Sequence, residues 1–392
     1  MHKFIFLLLP IVFYGCSQQE TEPLPDYLQE LENLTVYSAD RKPNEIISFQ
    51  KDVEYGDTGE VLIGRMGEVA VNENGRVYIA DSDQLKIKVY APDGQFLTRL
   101  GRRGEGPGEF IELSGIQTSQ NRLFTFDRNQ QRAVVFDTET LSYNQMISLA
   151  GNRNEIQELR GSYLNKFYPR NDGSFLMLFL ASNTAEGVND WDKIETRTLS
   201  YLLDESGNVD SEKLFERTSS YQVILPLGGR SVGMPVKFYG ALLTDQSDDD
   251  HIYLAWSEDF LIKKYSPAGE YMDAFYYNVP RVSLDPENAF PEAGPELIRE
   301  AARSAEIPET APVLDEMHID DENRLWISTI VEDFDVYEWW VLEETGELIT
   351  TFEWPRDEPI EVVRNGMMYT RETDEETGLQ QVVRYQIEME EM

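Results

Sequence analysis

The sequence predicts an all-β protein: a ring of six four-stranded sheets, that is, a six-bladed β-propeller. Three observations lead there. Short alternating apolar runs recur along the 392 residues, 11% of which are aromatic, and such runs mark half-buried strands rather than helices. One strand-turn-strand unit returns, with decay, along most of the chain. Its final copy stops one strand short, and an early segment is free to supply the missing strand.

The clearest unit is VAVNENGRVYIADSDQLKIKVYAPDGQFLTRLG, residues 69–101. It reads as strand, Asn-Glu-Asn-Gly turn, strand, short loop, strand, Pro-Asp-Gly turn, strand. Four antiparallel strands on tight turns make one blade. Residues 116–147 repeat the rhythm, with Phe124 and Phe136 standing 46 positions beyond Tyr78 and Tyr90. A third unit joins 167–180 to 198–215 across an insertion, a fourth covers 242–277 and a fifth 317–352. The sixth, 362–389, ends after its third strand. An unclosed ring would leave sheet edges exposed. Closure is therefore expected from EIISFQKDV (45–53) or EVLIGRM (60–66). One helical insertion is expected between blades four and five, PELIREAARSAEIP at 295–308. Pro295 suits a first turn, Leu297, Ile298, Ala301, Ala302 and Ala305 form an apolar stripe, and Pro308 stops it. It either packs on blade edges or caps a binding groove.

With Tyr-Ile-Ala-Asp at 78–81 and Pro-Asp-Gly at 92–94, the first unit resembles an NHL-type repeat. The GRRGEGPGEF that follows is similar to the link between blades in a group of six-bladed propeller lipoproteins from Bacteroidetes-like bacteria. The resemblance implies a fold and a location. It implies no activity, because propellers host unrelated functions.

The first fifteen residues read as a signal peptide: Lys3, an apolar run from Phe4 to Tyr14, then Gly15. Cys16 is the chain's one cysteine, so no internal disulfide can form. Gly-Cys directly after the apolar run resembles a bacterial lipobox, although Phe13 and Tyr14 depart from its strict pattern. The resemblance implies lipidation of Cys16 and attachment to the outer membrane, facing the periplasm or the surface. An ordinary signal peptide beside a stray cysteine is the plainer alternative. Residues 16–44 then read as an acidic tether and 45–392 as the propeller. The acidic run after Cys16 also weakly resembles the export signal of surface lipoproteins in some Gram-negative phyla.

With 72 acidic against 34 basic residues and a net charge of −38, nucleic-acid binding and peripheral attachment to anionic lipid are disfavoured. Membrane contact is expected through the lipid alone, and the folded body is expected to be a monomer.

Several motifs invite chemistry and are outweighed by context. The four glycines of LGRRGEGPGEF, 100–110, could cradle a phosphate, but a strand rather than a helix follows. They read as a corner between blades, with Arg102 and Arg103 as rare cations beside Glu105 and Glu109. Gly229-Arg230-Ser231-Val232-Gly233 matches a nucleophile elbow formally, yet lies in a link and runs into Met234-Pro235. His251 and His318 lack zinc spacing, and His318 is expected to line the axis. The acidic clusters at Asp81–Asp83, Asp245 with Asp248–Asp250, and Asp320-Asp321 read mostly as turn residues. No cofactor is expected, with a Ca²⁺ or Mg²⁺ in the channel left open.

Links between blades and the loops joining second to third strands emerge on one face, and the longest links are 101–115, 218–236 and 279–312. A ligand-binding rim is expected there. Its candidate residues are Asp81, Arg102, Arg103, Arg128, Trp256, Glu258, Glu332 and Arg371, together with His318 on the axis. Trp256 and Arg128 are the first choices for mutation. Two functions follow: a non-enzymatic binding or scaffold lipoprotein for a protein, peptide or glycan, or a metal-assisted hydrolase or lyase. The second resembles lactonase-type propellers, in which carboxylates surround a central divalent ion.

Overall fold

Residues 24–56, 61–182, 196–220, 222–227, 230–235, 238, 240–289 and 308–392 are described by this computed structural model; for 218–235, 286 and 287 only the backbone is described. Six four-stranded antiparallel blades follow in chain order. Blade one holds Met66–Val71, Val77–Asp81, Lys86–Tyr90 and Phe96–Leu100. Blade two holds Gly115–Ser119, Arg122–Asp127, Arg132–Asp137 and Ser142–Ser148. Blade three holds Tyr163–Pro169, Phe175–Ser182, Thr196–Leu203 and Phe215–Ser220. Blade four holds Leu242–Gln246, Ile252–Trp256, Phe260–Tyr265 and Tyr271–Tyr277. Blade five holds Leu314–Ile319, Leu325–Ile330, Val336–Leu342 and Leu348–Pro355.

Blade six takes Ile360–Arg364, Met367–Thr373 and Gln380–Glu391 from the end of the chain, and Glu45–Tyr55 as its outer strand. The register runs from Glu45 opposite Glu391 to Tyr55 opposite Val382. Of the two closing segments expected, 45–53 is the one used; residues 61–65 belong to the link into blade one.

Near-continuous apolar runs in the inner strands, such as Val77–Asp81 and Leu325–Ile330, give each blade two apolar faces, and each face meets a neighbour. Tyr78, Ile87 and Val89 pack with Phe110, Leu123 and Val134 between blades one and two. Phe126 and Val135 meet Phe167 and Phe179 between two and three, and Tyr168 and Leu176 meet Ile252 between three and four. Tyr253 and Phe260 meet Leu325 and Trp340, and Trp326 and Trp339 meet Ile360 and Met368. Tyr55, Tyr369 and Val382 meet Val69, Val77 and Ile79, which seals blade six onto blade one. Each such fully buried side chain contributes roughly 1.5–3 kcal/mol. The stability of the ring is thus spread over six seams.

The glycine-rich link resolves as a corner. Arg102–Arg103 pairs in parallel with Glu109–Phe110. Gly101 sits at φ +75°, and a Cβ there would stand 2.0 Å from the Phe110 ring, which fills the seam between blades one and two. Only glycine fits that position. The serine of the formal elbow, Ser231, lies in Arg230–Pro235, which forms a hairpin with Gln222–Leu227. A strand leaves this turn, where an elbow requires a helix. The helix expected at 295–308 lies outside the described residues, apart from Pro308.

One expectation is corrected. The stretch expected as free tether up to residue 44 is docked from residue 24 onward. Leu34–Tyr37 adds a fifth strand to blade four, parallel to its outer strand. Leu24, Leu28, Leu31 and Leu34 pack with Leu261, Ala274 and Tyr276. The apolar surface that these four leucines bury against blade four outweighs the acidic residues between them. The signal peptide and Cys16 lie outside the described residues.

Candidate functional site

The first strand of every blade faces the axis, and together these strands enclose a cavity of about 430 Å³. Its walls run from Glu68, Ile116, Lys166, Asp245, Glu316 and Glu361, one per blade, to the turns joining first and second strands. Glu73, Gln120, Asn171, Asp248, Asp321 and Arg364 stand at that end. The cavity is therefore a funnel that opens on the turn face, opposite the link face on which a binding rim was expected.

Hydrogen bonds between turns fix the mouth. The Asn171 N–H donates to both Asp250 oxygens at 3.2 and 3.0 Å, and its side-chain amide donates to the Asp248 carbonyl at 2.7 Å. The Asn365 N–H donates to Asp321 at 3.0 Å. Arg364 of blade six pairs with Asp248 of blade four, passing blade five.

Deeper in, charge is present but sparsely partnered. Lys166 lies on the axis wall with its side chain exposed to the funnel and its ammonium 5.0 Å over the Tyr168 ring. Burial disfavours its ammonium, yet Tyr168, Asp245 and Glu68 together hold its pKa above the ordinary lysine range. Burial pushes Glu68 up, with the Ile116 N–H, donating at 3.0 Å, pulling the other way. Burial likewise raises Asp245, which accepts the Ile319 N–H at 2.8 Å. Glu361 is pushed up to about 7, chiefly by burial, although Arg371 pairs with it at 2.6 Å. Carboxyls that lose hydration without gaining full compensation hold their protons. Uncommitted groups remain among the described residues: the Gln246 Oε1 and His318 Nε2 are buried without a hydrogen-bond partner. His318 stacks on Trp339 and stands 3.6 Å from Glu316, beyond hydrogen-bond reach.

The candidate residues divide. His318 lines the funnel, Arg371 closes its wall by donating to the Gly67 carbonyl at 2.8 Å, and Arg128 acts on Glu68 through its charge. Arg371 lies within the second strand of blade six rather than in the loop after it. Asp81 is corrected outright: it is fully buried and clamps its own blade. It pairs with equally buried Lys88 at 3.3 Å and accepts the N–H groups of Gly64 at 3.0 Å and Gln84 at 2.9 Å. Arg102 forms an exposed pair with Glu109 at 2.6 Å, and Arg103 is exposed beside it. Trp256 packs over Gly240 under the Arg217 guanidinium, and Glu258 is bridged to Arg281 at 2.7 Å. Glu332 is exposed on the link face. None of these last five reaches the funnel.

Among the described residues, no three His, Cys, Asp or Glu side chains gather closely enough to hold a metal. Asp320, one of the suspected ligands, instead accepts from the N–H groups of Glu322 and Arg324 and from Trp326 Nε1. Sequence reasoning missed Glu68, Lys166 and Glu361, and it read Asp245 as part of a turn cluster, whereas Asp245 lies in the first strand of blade four. Their signal was a charge inside an otherwise apolar first strand.

Residues 53–179 match the family model DUF5128, described as a 6-bladed beta-propeller. A member of the duf4221 family from Bacteroides vulgatus is similar in structure, with a TM-score of 0.54 at 11% identity, covering 90% of this chain and 100% of that one. A protein of Bacteroides fragilis described as exported is similar at a TM-score of 0.50 and 10% identity, covering 91% and 100%. A search of curated proteins gave no match. These likenesses agree with the six-bladed propeller fold.

Proposed function

We propose that this chain is a non-enzymatic binding module of the cell envelope, held to the outer membrane by lipid on Cys16, that takes a short glycan into the central funnel. One observation carries the reading: polar groups face a cavity of ligand size, and among the described residues the Gln246 Oε1 and His318 Nε2 there have no hydrogen-bond partner. Lys166, Glu68, Asp245, Gln117 and Gln246 line about 430 Å³, within the range of small-ligand sites. A hydroxyl-rich ligand satisfies such a lining, because each hydroxyl both donates and accepts. The small apolar wall of Val71, Ile116 and Val362 offers a folded protein little to bury. The Gly15-Cys16 junction supports the anchor, and the exported protein of similar fold supports an envelope location.

The test is titration of the purified mature chain with a panel of neutral oligosaccharides and of short peptides, followed by calorimetry. Saccharide binding that falls at least tenfold in Lys166→Met, with the fold retained by circular dichroism, is expected. Peptide binding alone, or saccharide binding indifferent to Lys166, overturns the glycan reading.

A further inference from the structure

The docked segment before the ring gives the body a direction. The Asp26–Gln29 helix places Tyr27 so that its hydroxyl donates to Asp259 at 2.7 Å. Asp259 belongs to the loop between second and third strands of blade four, and Arg281, which pairs with it at 3.1 Å, to the link leaving that blade. Both segments lie on the link face. Leu28, 1% exposed, packs against Leu261 and Tyr276 and pins the chain there. The funnel opens on the other face.

Eight chain steps separate Cys16 from Leu24. Fully extended they reach at most about 29 Å, at roughly 3.6 Å per residue. Crossing from one face to the other along a first strand of six residues, such as Met66–Val71, already takes roughly 20 Å at about 3.3 Å per residue. A lipid on Cys16 could bring the turn face to a bilayer only by spending about two-thirds of its tether on the detour round the rim. That would leave the centre of that face out of reach.

We propose that the link face lies against the membrane and the funnel mouth looks away from it, open to solutes rather than to lipid. This rests on the anchor proposed above. Acylation of Cys16 leaves the chain without a free thiol, so one introduced cysteine can carry a unique fluorophore. Full-length lipidated protein is placed in phosphatidylcholine vesicles containing a nitroxide head-group lipid. The label goes on Glu332→Cys, exposed on the link face, or on Asn74→Cys, exposed in a turn at the funnel end. Quenching at least twofold greater at position 332 is expected. A flexible insertion of about 20 residues between Cys16 and Leu24 is expected to bring the two positions level. Equal quenching in the natural chain, stronger quenching at position 74, or asymmetry that survives the insertion overturns the proposal. Failure to partition into vesicles, with Cys16→Ser behaving alike, overturns the anchor itself and is told apart by the missing membrane fraction.

Discussion

Two sets of acids in this molecule behave in opposite ways: one is sealed inside the blades and the other lines the open funnel. At the ends of second strands, Asp81 and Asp127 are fully buried and fully engaged. Asp81 holds Lys88 and two backbone N–H groups; Asp127 accepts from Ile111 at 3.0 Å and Gln130 at 3.1 Å, with Arg132 at 3.8 Å. In both blades the acid ties the incoming link to the strand end. Along the axis, Glu68 and Asp245 each accept one backbone N–H and Glu361 pairs with Arg371, yet burial raises all three. A buried acid whose partners are complete is part of the scaffold. One whose partners are incomplete, facing a cavity, has capacity left for a ligand.

Blade four shows what the clamp position does when its residue changes. Trp256 stands where Asp81 stands in the first unit, and the link is held instead by Ser257, whose hydroxyl accepts the Ala241 N–H at 2.8 Å. A position shared by the repeats is therefore a position of mechanical need.

The comparison breaks most visibly at Asp81. Asp81→Ala strands the buried Lys88 ammonium and is expected to cost about 3–5 kcal/mol in urea unfolding. A loss below 1 kcal/mol would return Asp81 to the surface residues. Asp127→Ala is expected to cost less, about 2–3 kcal/mol, because Arg132 also donates to the Glu105 and Glu109 carbonyls at 2.9 and 2.8 Å. On the channel side the effect depends on pH. Glu361 keeps its proton in the folded protein up to about 7, against an ordinary glutamate value of 4.5. Its contribution is therefore full below the unfolded pKa and is lost as pH rises through 7. In Glu361→Gln the fall in stability between pH 5 and pH 8 is expected to shrink by about 2 kcal/mol, read as a narrower spread of melting temperatures. Arg102→Ala marks the floor: an exposed pair contributes about 0–1 kcal/mol and should vanish in high salt.

Much of this was legible before any coordinates. Tyr78, Tyr90 and their Phe counterparts 46 residues on set the blade register, and the sixth unit's missing strand pointed to 45–53. Asp81 misled because Asp-Ser-Asp resembles an exposed turn. The corrective signal was Lys88: Lys-Ile-Lys-Val-Tyr places it on the same side as Tyr90, and both are buried. A cation facing inward needs an acid. The docking of Leu24–Leu34 was hidden by composition, since acidic residues suggested a tether while leucine spacing carried the packing. The direction of the funnel was not legible at all. It depends on how far six first strands and their turns lean toward the axis, and no single repeat carries that quantity.

The closing ladder between Glu45–Tyr55 and Gln380–Glu391 joins segments more than 300 positions apart. Pairing over such separation is slow, and its entropic cost is met before any reward. The four antiparallel strands of each of blades one to five are consecutive, so among the antiparallel blade strands Glu45–Tyr55 is the one that waits for a distant partner, and closing the ring is a step apart from forming its blades.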